Sequence, residues 1–325
     1  MALASLPKIK GNFKGKDILS LDQFDIASLQ KLFKLTKQMA EIAKKSKPSK
    51  LLAGNIVTLL FYEPSSRTFG SFAAAIKQLG GQTVEILDPQ HFSSVYKGET
   101  FEDTIRVFEA YCDAIVIRHP QVGSAQAAAD IASFAPIINA GDGPHEHPTQ
   151  ALLDLYTIYE RFKKLDHLIG VVAGDMLYGR TVKSLIRGLA LYKANTVYLL
   201  SPDKLRLSKE DFANFQKRHI KLIQIESEQD IPKNAHFWYW TRVQKERFTN
   251  LKDYEKVKNK FVLTPKLIKE RAGAQTIFMH PLPRVGEISP KVDSNPRAVY
   301  LRSQIRNGMY IRMALLALIL GKIRQ

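Results

Sequence analysis

The sequence predicts an α/β protein of two doubly wound domains, each a parallel sheet flanked by helices, the two joined by long helices. Three observations predict it. Short apolar runs of strand type alternate with segments whose apolar residues recur at helical spacing, along almost the whole chain. This alternation runs through one series and starts again after a long helical segment at 148–162. The length of 325 residues suits two domains of ordinary size. Repeated strand-then-helix order favours parallel pairing, because a crossover helix returns the chain to the same end of the sheet.

The run 56–61, Ile-Val-Thr-Leu-Leu-Phe, reads as a strand covered on both faces, which needs apolar residues at nearly every position. The next segment places Phe72, Ala75, Ile76 and Leu79 on one helical face, and Gly80-Gly81 stops it. A strand follows at 83–87. The segment 100–111 is a helix with Phe101, Ile105 and Phe108 on one face, and Thr100 with Asp103 resembles a capping box. Strands are predicted at 114–117 and 136–139. The long helix 148–162 turns Ala151, Leu152, Leu155, Tyr159 and Phe162 inward. The second series opens with a strand at 168–173 and a helix at 181–192 carrying Val182, Leu185, Ile186 and Leu189. Strands at 196–200, 221–225, 235–240 and 276–279 follow, and an apolar helix at 308–319 ends the chain.

Hydrophobic residues make up 45% and charged residues 24%, a globular composition that excludes disordered and fibrous classes. Lysine and arginine number 48 against 31 acidic residues, a formal net charge of +17. Such a surplus raises nucleic acid, anionic membrane or small anions as partners. The Lys-rich segments 31–50 and 252–270 interleave with helical patterns and few aromatics, so a solvated basic surface is expected rather than a nucleic-acid site. The stretch 44–50 reads as a solvated loop. Cys112 is the only cysteine, which excludes an intramolecular disulfide and points to a reducing compartment. The apolar run 313–320 is too short to span a bilayer. Residues 1–16 place an apolar start before their lysines, the reverse of a signal peptide. A cytoplasmic chain with no membrane partner is expected.

In open parallel sheets ligands bind beyond the carboxyl ends of the strands, and there the chemistry gathers. The first strand leads through Glu63-Pro64 into Ser65-Ser66-Arg67-Thr68 at a helix start. Backbone N–H groups, hydroxyls and a guanidinium at a helix N-terminus can hold an anion; Ser and Thr also cap helices, so capping alone is the plainer alternative. No Gly-rich Lys-Ser/Thr loop is present, which excludes a nucleoside-triphosphate P-loop. Arg118-His119-Pro120 ends the third strand. A Gly-rich loop at 139–143 delivers His145, His147 and Gln150 to the start of the long helix. The H-x-H pair lacks the third and fourth ligands that a zinc site needs, so no metal is expected. Gly174 to Arg180 follows a strand without the second glycine of a dinucleotide loop; Arg180 suits a carboxylate instead. Thr241-Arg242-Val243-Gln244 and His280-Pro281-Leu282-Pro283-Arg284 follow two further strands. Strand ends rich in Arg, His, Ser and Thr and poor in carboxylates point to a small substrate with several negative charges.

Taken in this order, Ser-Ser-Arg-Thr at 65–68, Arg118-His119-Pro120, His147-Pro148-Thr149-Gln150, Gly179-Arg180-Thr181, Thr241-Arg242-Val243-Gln244 and His280-Pro281-Leu282-Pro283-Arg284 resemble the catalytic chains of the aspartate carbamoyltransferases. The resemblance runs from about residue 55 to the C-terminus. Pro281 and Thr149 stand where the ornithine enzymes of the wider aspartate/ornithine carbamoyltransferase family have cysteines. Two departures exist. Ser66 replaces the usual Thr and keeps the hydroxyl, and Phe69-Gly70 replaces a common Arg-aliphatic pair, which removes a charge behind the phosphate site.

The resemblance implies transfer of the carbamoyl group of carbamoyl phosphate to the amine of L-aspartate, giving N-carbamoyl-L-aspartate and phosphate in pyrimidine biosynthesis, with no cofactor. It implies a carbamoyl-phosphate-binding domain of residues 1–147 plus 306–325 and an aspartate-binding domain of 148–305. Arg67, Thr68, Arg118 and His147 are the catalytic residues it implies. Ser65, Ser66, Arg67 and Thr68 would hold the phosphate, while Thr68, Arg118 and His147 surround the carbonyl oxygen. Gln150 and the backbone carbonyl of Leu282 would take hydrogen bonds from the carbamoyl NH₂. Ser93 and Lys97 would enter the site from a neighbouring subunit of a homotrimer. Arg180, Arg242 and Gln244, with Lys97, Leu282 and Pro283, would bind aspartate. A regulatory chain is a further partner that the resemblance leaves open.

Overall fold

In the computed structural model of the chain, described for residues 6–323 other than 46, 48, 246, 247, 249 and 259, the protein divides into two compact units. One comprises the chain up to Leu153 together with the part from Arg306 onward, and the other runs from Asp154 to Ile305. The sequence readings at residues 1–5, and at positions 46 and 48 of the basic loop, lie outside the described residues.

The first unit contains α1 (Ile26–Ala43), β1 (Ile56–Phe61), α2 (Ser66–Gln78), β2 (Gln82–Leu87), α3 (Pro89–Phe92), α4 (Phe101–Glu109), β3 (Ala114–His119), α5 (Ser124–Ile131) and β4 (Ile137–Asp142). Its sheet is parallel throughout in the order β2-β1-β3-β4. The inner strands β1 and β3 and the strand β4 are buried over most of their length, whereas edge strand β2 is largely exposed. This is why β1 is apolar at almost every position and β2 alternates. The core packs Leu60, Ile115, Ile117 and Ile137 from the sheet against Ile105 of α4 and Ala125 and Ala128 of α5. Asp25 caps α1 by accepting the Ser28 N–H at 2.7 Å, and Thr100 caps α4 by accepting the Asp103 N–H at 3.0 Å.

The chain passes to the second unit within α6 (Pro148–Phe162) and returns within α11 (Ser303–Ile319). Between them lie β5 (Ile169–Ala173), α7 (Arg180–Leu189), β6 (Asn195–Leu200), α8 (Lys209–Gln216), β7 (Ile220–Ile225), β8 (Phe237–Trp240), α9 (Leu251–Val257), α10 (Pro265–Arg271) and β9 (Ile277–Met279). These strands form a second all-parallel sheet, β7-β6-β5-β8-β9. Trp238, Trp240 and Phe278 pack together in its core with ring centroids 5.4–5.6 Å apart. Gly170 on β5 is required by this packing, because a Cβ there would stand 2.2 Å from the Phe237 ring.

Three differences from the sequence reading have local causes. The division between the units falls inside α6, between Leu153 and Asp154, not at its first residue. β4 runs on to Asp142, because Asn139-Ala140-Gly141-Asp142 stays in the ladder although its glycine reads as loop. Helix α5, Ser-Ala-Gln-Ala-Ala-Ala-Asp-Ile, shows only small residues on its buried side, too weak an apolar stripe to announce itself. The lysine-rich segments lie partly on helices: Lys34 and Lys37 sit on the exposed side of α1, while Leu32, Phe33, Leu35 and Met39 are buried. Among the described residues no helix is long and apolar enough to cross a membrane.

Candidate active site

In the first unit the chain steps from β1 outward to β2, then back across to β3 and on to β4. The reversal between β1 and β3 is a topological switch point, where adjoining loops part and leave a crevice beyond the carboxyl ends. The segments 63–68 and 118–120 follow those two strands. Ser65 stands at the N-cap of α2 with φ −155°, and its side chain makes no capping hydrogen bond, so capping does not use its hydroxyl. Ser66 and Arg67 are exposed in the first helical turn, and Thr68 is buried behind them. Phe69, the departure from the family pattern, packs edge-on against Phe61 at 5.5 Å.

Arg118 lies in an irregularity of the sheet: Ile117 pairs with Asn139 but His119 with Asp142. Such bulges re-aim side chains beside functional sites. The guanidinium is nearly buried, 3.0 Å from Glu63 Oε2, and its NH1 donates to Ala140 O at 3.2 Å. Burial pulls the Arg118 pKa down, the Glu63 carboxylate opposes this, and the Arg67 charge adds to the lowering. Arg118 Nε has no partner among the described residues. Two guanidiniums that sense each other beside a helix N-terminus, with one carboxylate paired to Arg118, favour an anion.

The loop carrying His147 is held by buried carboxylates. Asp142 accepts from Asn139 Nδ2 at 3.1 Å and from the Glu146 N–H at 3.0 Å, and pairs with His145 Nδ1 at 2.9 Å. Burial raises the Asp142 pKa, but these partners together hold it below the usual carboxylate range. Glu146 accepts from Ser20 Oγ at 2.8 Å and the Leu21 N–H at 3.1 Å. Gly143, at φ +55°, leaves no room for a side chain: a Cβ would meet Pro120 O at 2.4 Å. His147 therefore arrives beside α2, with Nε2 3.4 Å from Thr68 Oγ1 and Nδ1 3.4 Å from Thr149 Oγ1. Gln150 follows in the first turn of α6. His145 and His147 thus face different partners, and no metal-holding group of His, Cys, Asp or Glu occurs among the described residues.

Ser93 and Lys97 stand apart from this cluster, on the exposed segment after β2. Ser93 Oγ donates to Pro89 O at 2.7 Å and accepts the Val95 N–H at 3.2 Å. Lys97 is exposed, with no hydrogen-bond or ion-pair partner among the described residues.

The second unit has its own switch point between β5 and β8. The segment 174–180 follows β5 and places Arg180 at the first position of α7, and 241–244 follows β8. The two segments touch. Gly174 has φ +117°, and a Cβ there would stand 2.2 Å from Thr241 O. Gln244 Nε2 donates to Tyr178 O at 2.9 Å. Between them Asp175 is fully buried and accepts the Tyr178 N–H at 2.9 Å. Burial raises its pKa, opposed by backbone N–H groups of Tyr178, Gln244 and Leu177 and by the Arg242 charge. Leu282 occupies a left-handed conformation, φ +56°, in the turn after β9, with a cis peptide to Pro283. Its N–H donates to His280 Nδ1 at 2.7 Å, and His280 Nε2 meets Glu287 Oε1 at 2.6 Å.

Two family models match the chain, "Aspartate/ornithine carbamoyltransferase, carbamoyl-P binding domain" over residues 16–160 and the "Asp/Orn binding domain" over 168–319. The chain belongs to the aspartate/ornithine carbamoyltransferase family. The aspartate carbamoyltransferase catalytic subunit of Methanosarcina barkeri is 46% identical over 312 residues, 96% of this chain and 99% of its own. That of Hyperthermus butylicus is 42% identical over 310 residues, 95% and 98% of the two chains. The multifunctional protein pyr1-3 of Dictyostelium discoideum is 47% identical over 307 residues, and this chain spans 14% of its length. Among solved structures, the catalytic subunit of M. jannaschii aspartate transcarbamoylase superposes with a TM-score of 0.87 at 39% identity, covering 95% of this chain and 100% of its own. Trypanosoma cruzi aspartate transcarbamoylase in complex with carbamoyl phosphate and aspartate superposes at 0.86 with 37% identity, over 97% and 99% of the two chains.

Within this carbamoyltransferase the sequence reading passed over the residues that hold the named ones. Glu63, Asp142, Asp175 and Glu287 each lie within a few positions of a quoted motif, yet Glu63 pairs with Arg118 of another strand, Asp175 accepts from backbone, and Asp142 and Glu287 pair with His145 and His280 across turns that periodicity does not describe. The signal available was an acidic residue inside an otherwise cationic strand end, where an unpaired carboxylate would weaken anion binding.

Proposed function

We propose that this chain transfers the carbamoyl group of carbamoyl phosphate to the amine of L-aspartate, releasing phosphate and N-carbamoyl-L-aspartate, as a step of pyrimidine biosynthesis. The observation that carries the reading is that the loops at both switch points bear two arginines, Arg67 and Arg118, which sense each other, in one unit and Arg180 and Arg242 in the other. A phosphorylated donor and an acceptor with two carboxylates are the anions such ends take. The first unit takes carbamoyl phosphate and the second takes aspartate.

The phosphate sits on the N-terminus of α2, on the N–H groups and hydroxyls of Ser65, Ser66 and Thr68 and the Arg67 guanidinium. The aspartate amine attacks the carbamoyl carbon, and negative charge grows on the carbonyl oxygen. Thr68, Arg118 and His147 donate to that oxygen, each such donor being worth ~3–4 kcal/mol in an acyl-transfer site. The C–O bond to phosphate then breaks, the departing phosphate takes the proton that the amine nitrogen loses, and Arg67 stabilises the charge that leaves. Gln150 and the Leu282 carbonyl accept from the carbamoyl NH₂ and fix its plane. Arg180, Arg242 and Gln244, with Pro283, orient the aspartate carboxylates, so the amine approaches already positioned. The chain acts in the cytoplasm as a homotrimer, in which Ser93 and Lys97 of one subunit complete the site of the next; the exposed position of Lys97 supports this.

A carbamoylation assay with aspartate and ornithine side by side tests the reading. Strong preference for aspartate is expected, because Arg180 and Arg242 repel an amine side chain. Comparable turnover with ornithine overturns it.

A further inference from the structure

We propose that Arg312 of α11, acting through the Thr149 hydroxyl, holds His147 as its Nε2–H tautomer and so aims a proton at the carbamoyl carbonyl oxygen. The proposal rests on the reading that His147 donates to that oxygen, and it assigns the positioning residues behind it. All the groups belong to the first unit.

Arg312 is 4% exposed, Thr149 is wholly buried and His147 is 4% exposed. Arg312 NH1 donates to Ser71 Oγ of α2 at 2.8 Å, and the guanidinium lies 4.9 Å from the Phe72 ring centroid. Its NH2 donates to Thr149 Oγ1 at 3.3 Å, and the same oxygen lies 3.4 Å from His147 Nδ1. On the far side of the imidazole, Nε2 lies 3.4 Å from Thr68 Oγ1. These contacts form one line, Arg312 to Thr149 to His147 to Thr68.

Its direction follows from valence. A guanidinium has no acceptor, so Thr149 Oγ1 must accept from Arg312. The hydroxyl's single proton is then left to donate, and His147 Nδ1 is the acceptor in reach. If Nδ1 carried a proton instead, Thr149 Oγ1 would accept from both Nδ1 and Arg312, and its own buried O–H would be left without an acceptor. Nδ1 is therefore bare and the imidazole proton sits on Nε2, the nitrogen facing Thr68. An imidazolium would leave the same hydroxyl proton unmatched and would also face the nearby Arg312 charge. The second hydrogen bond, to Ser71, ties the same guanidinium to the helix whose N-terminus holds Thr68. The sequence hides this relay, since Arg312 lies 163 residues from Thr149 and looks like a stray charge in the apolar run 308–319.

The test uses the full chain labelled with ¹⁵N-histidine, the His147 signals being assigned by their loss in His147→Gln. In the wild type at neutral pH, Nδ1 is expected to show the bare, pyridine-type resonance and Nε2 the protonated one. Thr149→Val and Arg312→Gln should mix the tautomers, and Thr149→Ser should restore the wild-type pattern. In steady-state kinetics Thr149→Val should lower kcat roughly tenfold with the carbamoyl phosphate KM nearly unchanged, as for one weakened transition-state donor, and Thr149→Ser should recover it. A His147 tautomer that is unchanged in folded Thr149→Val and Arg312→Gln overturns the relay. Mixed tautomers with wild-type kcat uphold the relay and overturn instead the placing of His147 at the carbonyl oxygen.

Discussion

Arg67 and Arg242 bring the same charge to different events. Arg67 lies in the first turn of α2, where the leaving phosphate gathers charge, so it acts chiefly in the transition state. Arg67→Ala is expected to lose more than ~100-fold in kcat. Arg242 acts through binding and orientation of aspartate, so Arg242→Ala should mainly raise the aspartate KM, with a smaller fall in kcat. Initial rates over both substrates check the pair, and an intact kcat in Arg67→Ala contradicts the phosphate role of this helix end. Asp175 offers a second case. Its carboxylate accepts the Tyr178 N–H at Oδ1, and the N–H groups of Leu177 and Gln244 and the Arg242 charge oppose the rise that burial imposes on its pKa. Asparagine keeps the shape but turns an NH₂ toward donors. Asp175→Asn should raise the aspartate KM about tenfold, as expected when a buried hydrogen-bond network is broken at roughly 1–3 kcal/mol, while carbamoyl phosphate binding stays as it was. Equal changes in both KM values argue against this division of labour.

The elements that carry these residues are set by close approaches of backbone. Gly174 is the sharpest of them. At φ +117° only glycine is at ease, and Thr241 O occupies the place a Cβ would take. Gly174→Ala must separate the loop after β5 from the loop after β8. A loss of more than ~2 kcal/mol in unfolding free energy is expected, with the aspartate KM raised in whatever protein stays folded. Chemical denaturation and kinetics on one preparation check both. Gly308 on α11 is a milder instance, since a Cβ there would stand 3.0 Å from Arg312 NH1 and 3.2 Å from Leu153. The leucine at φ +56° before Pro283 persists for a related reason. His280, itself braced by Glu287, holds its N–H and over-determines the turn.

Acid should unfold the protein through a few identifiable carboxylates. Asp142 and Glu287 are raised by burial but brought below their usual values by partners, and Asp293 is lowered first by Arg284. A depressed folded pKa gives stability that is fully present above the unfolded value, near 4, and is lost as pH falls through the folded value. Asp17 and Asp175, raised chiefly by burial, have the opposite sign and soften the fall. Protonation also adds to a charge of +17 already present. Denaturation midpoints should ease down below about pH 6.5, where His119 and His236, whose pKa burial lowers, take up protons more readily in the unfolded chain, and drop steeply below about 4; a flat profile to pH 3 contradicts these assignments. Assembly supplies the other molecular test. Lys97→Ala and Arg67→Ala chains, each nearly inactive, are mixed equally, dissociated and reassociated. Roughly three quarters of random trimers are mixed, and each has one interface at which both contributing residues are native, so activity should approach roughly one quarter of wild type. No recovery in proven mixed trimers means that each site is built within one chain.

Residue patterning alone determined the two series of parallel strands, because a strand covered on both faces must be apolar at nearly every position, as β1, β3 and β8 are. It also determined the cationic strand ends, since Ser65 to Thr68, Arg118, Arg180 and Arg242 each lie at the end of such a run or in the loop that follows it. It did not announce α5, whose buried side is alanine, nor the continuation of β4 through Gly141. Strand order was decided by packing. That order places β1 beside β3 and β5 beside β8, and so makes switch points of the loops that carry the arginines. The supports came the same way: Glu63 to Arg118, Ser20 to Glu146 across 126 residues, Arg312 to Thr149 across 163. Periodicity records whether a residue is covered and which neighbours three or four positions away share its face. It carries no record of which distant segment does the covering, and a buried carboxylate or guanidinium takes its meaning from that partner.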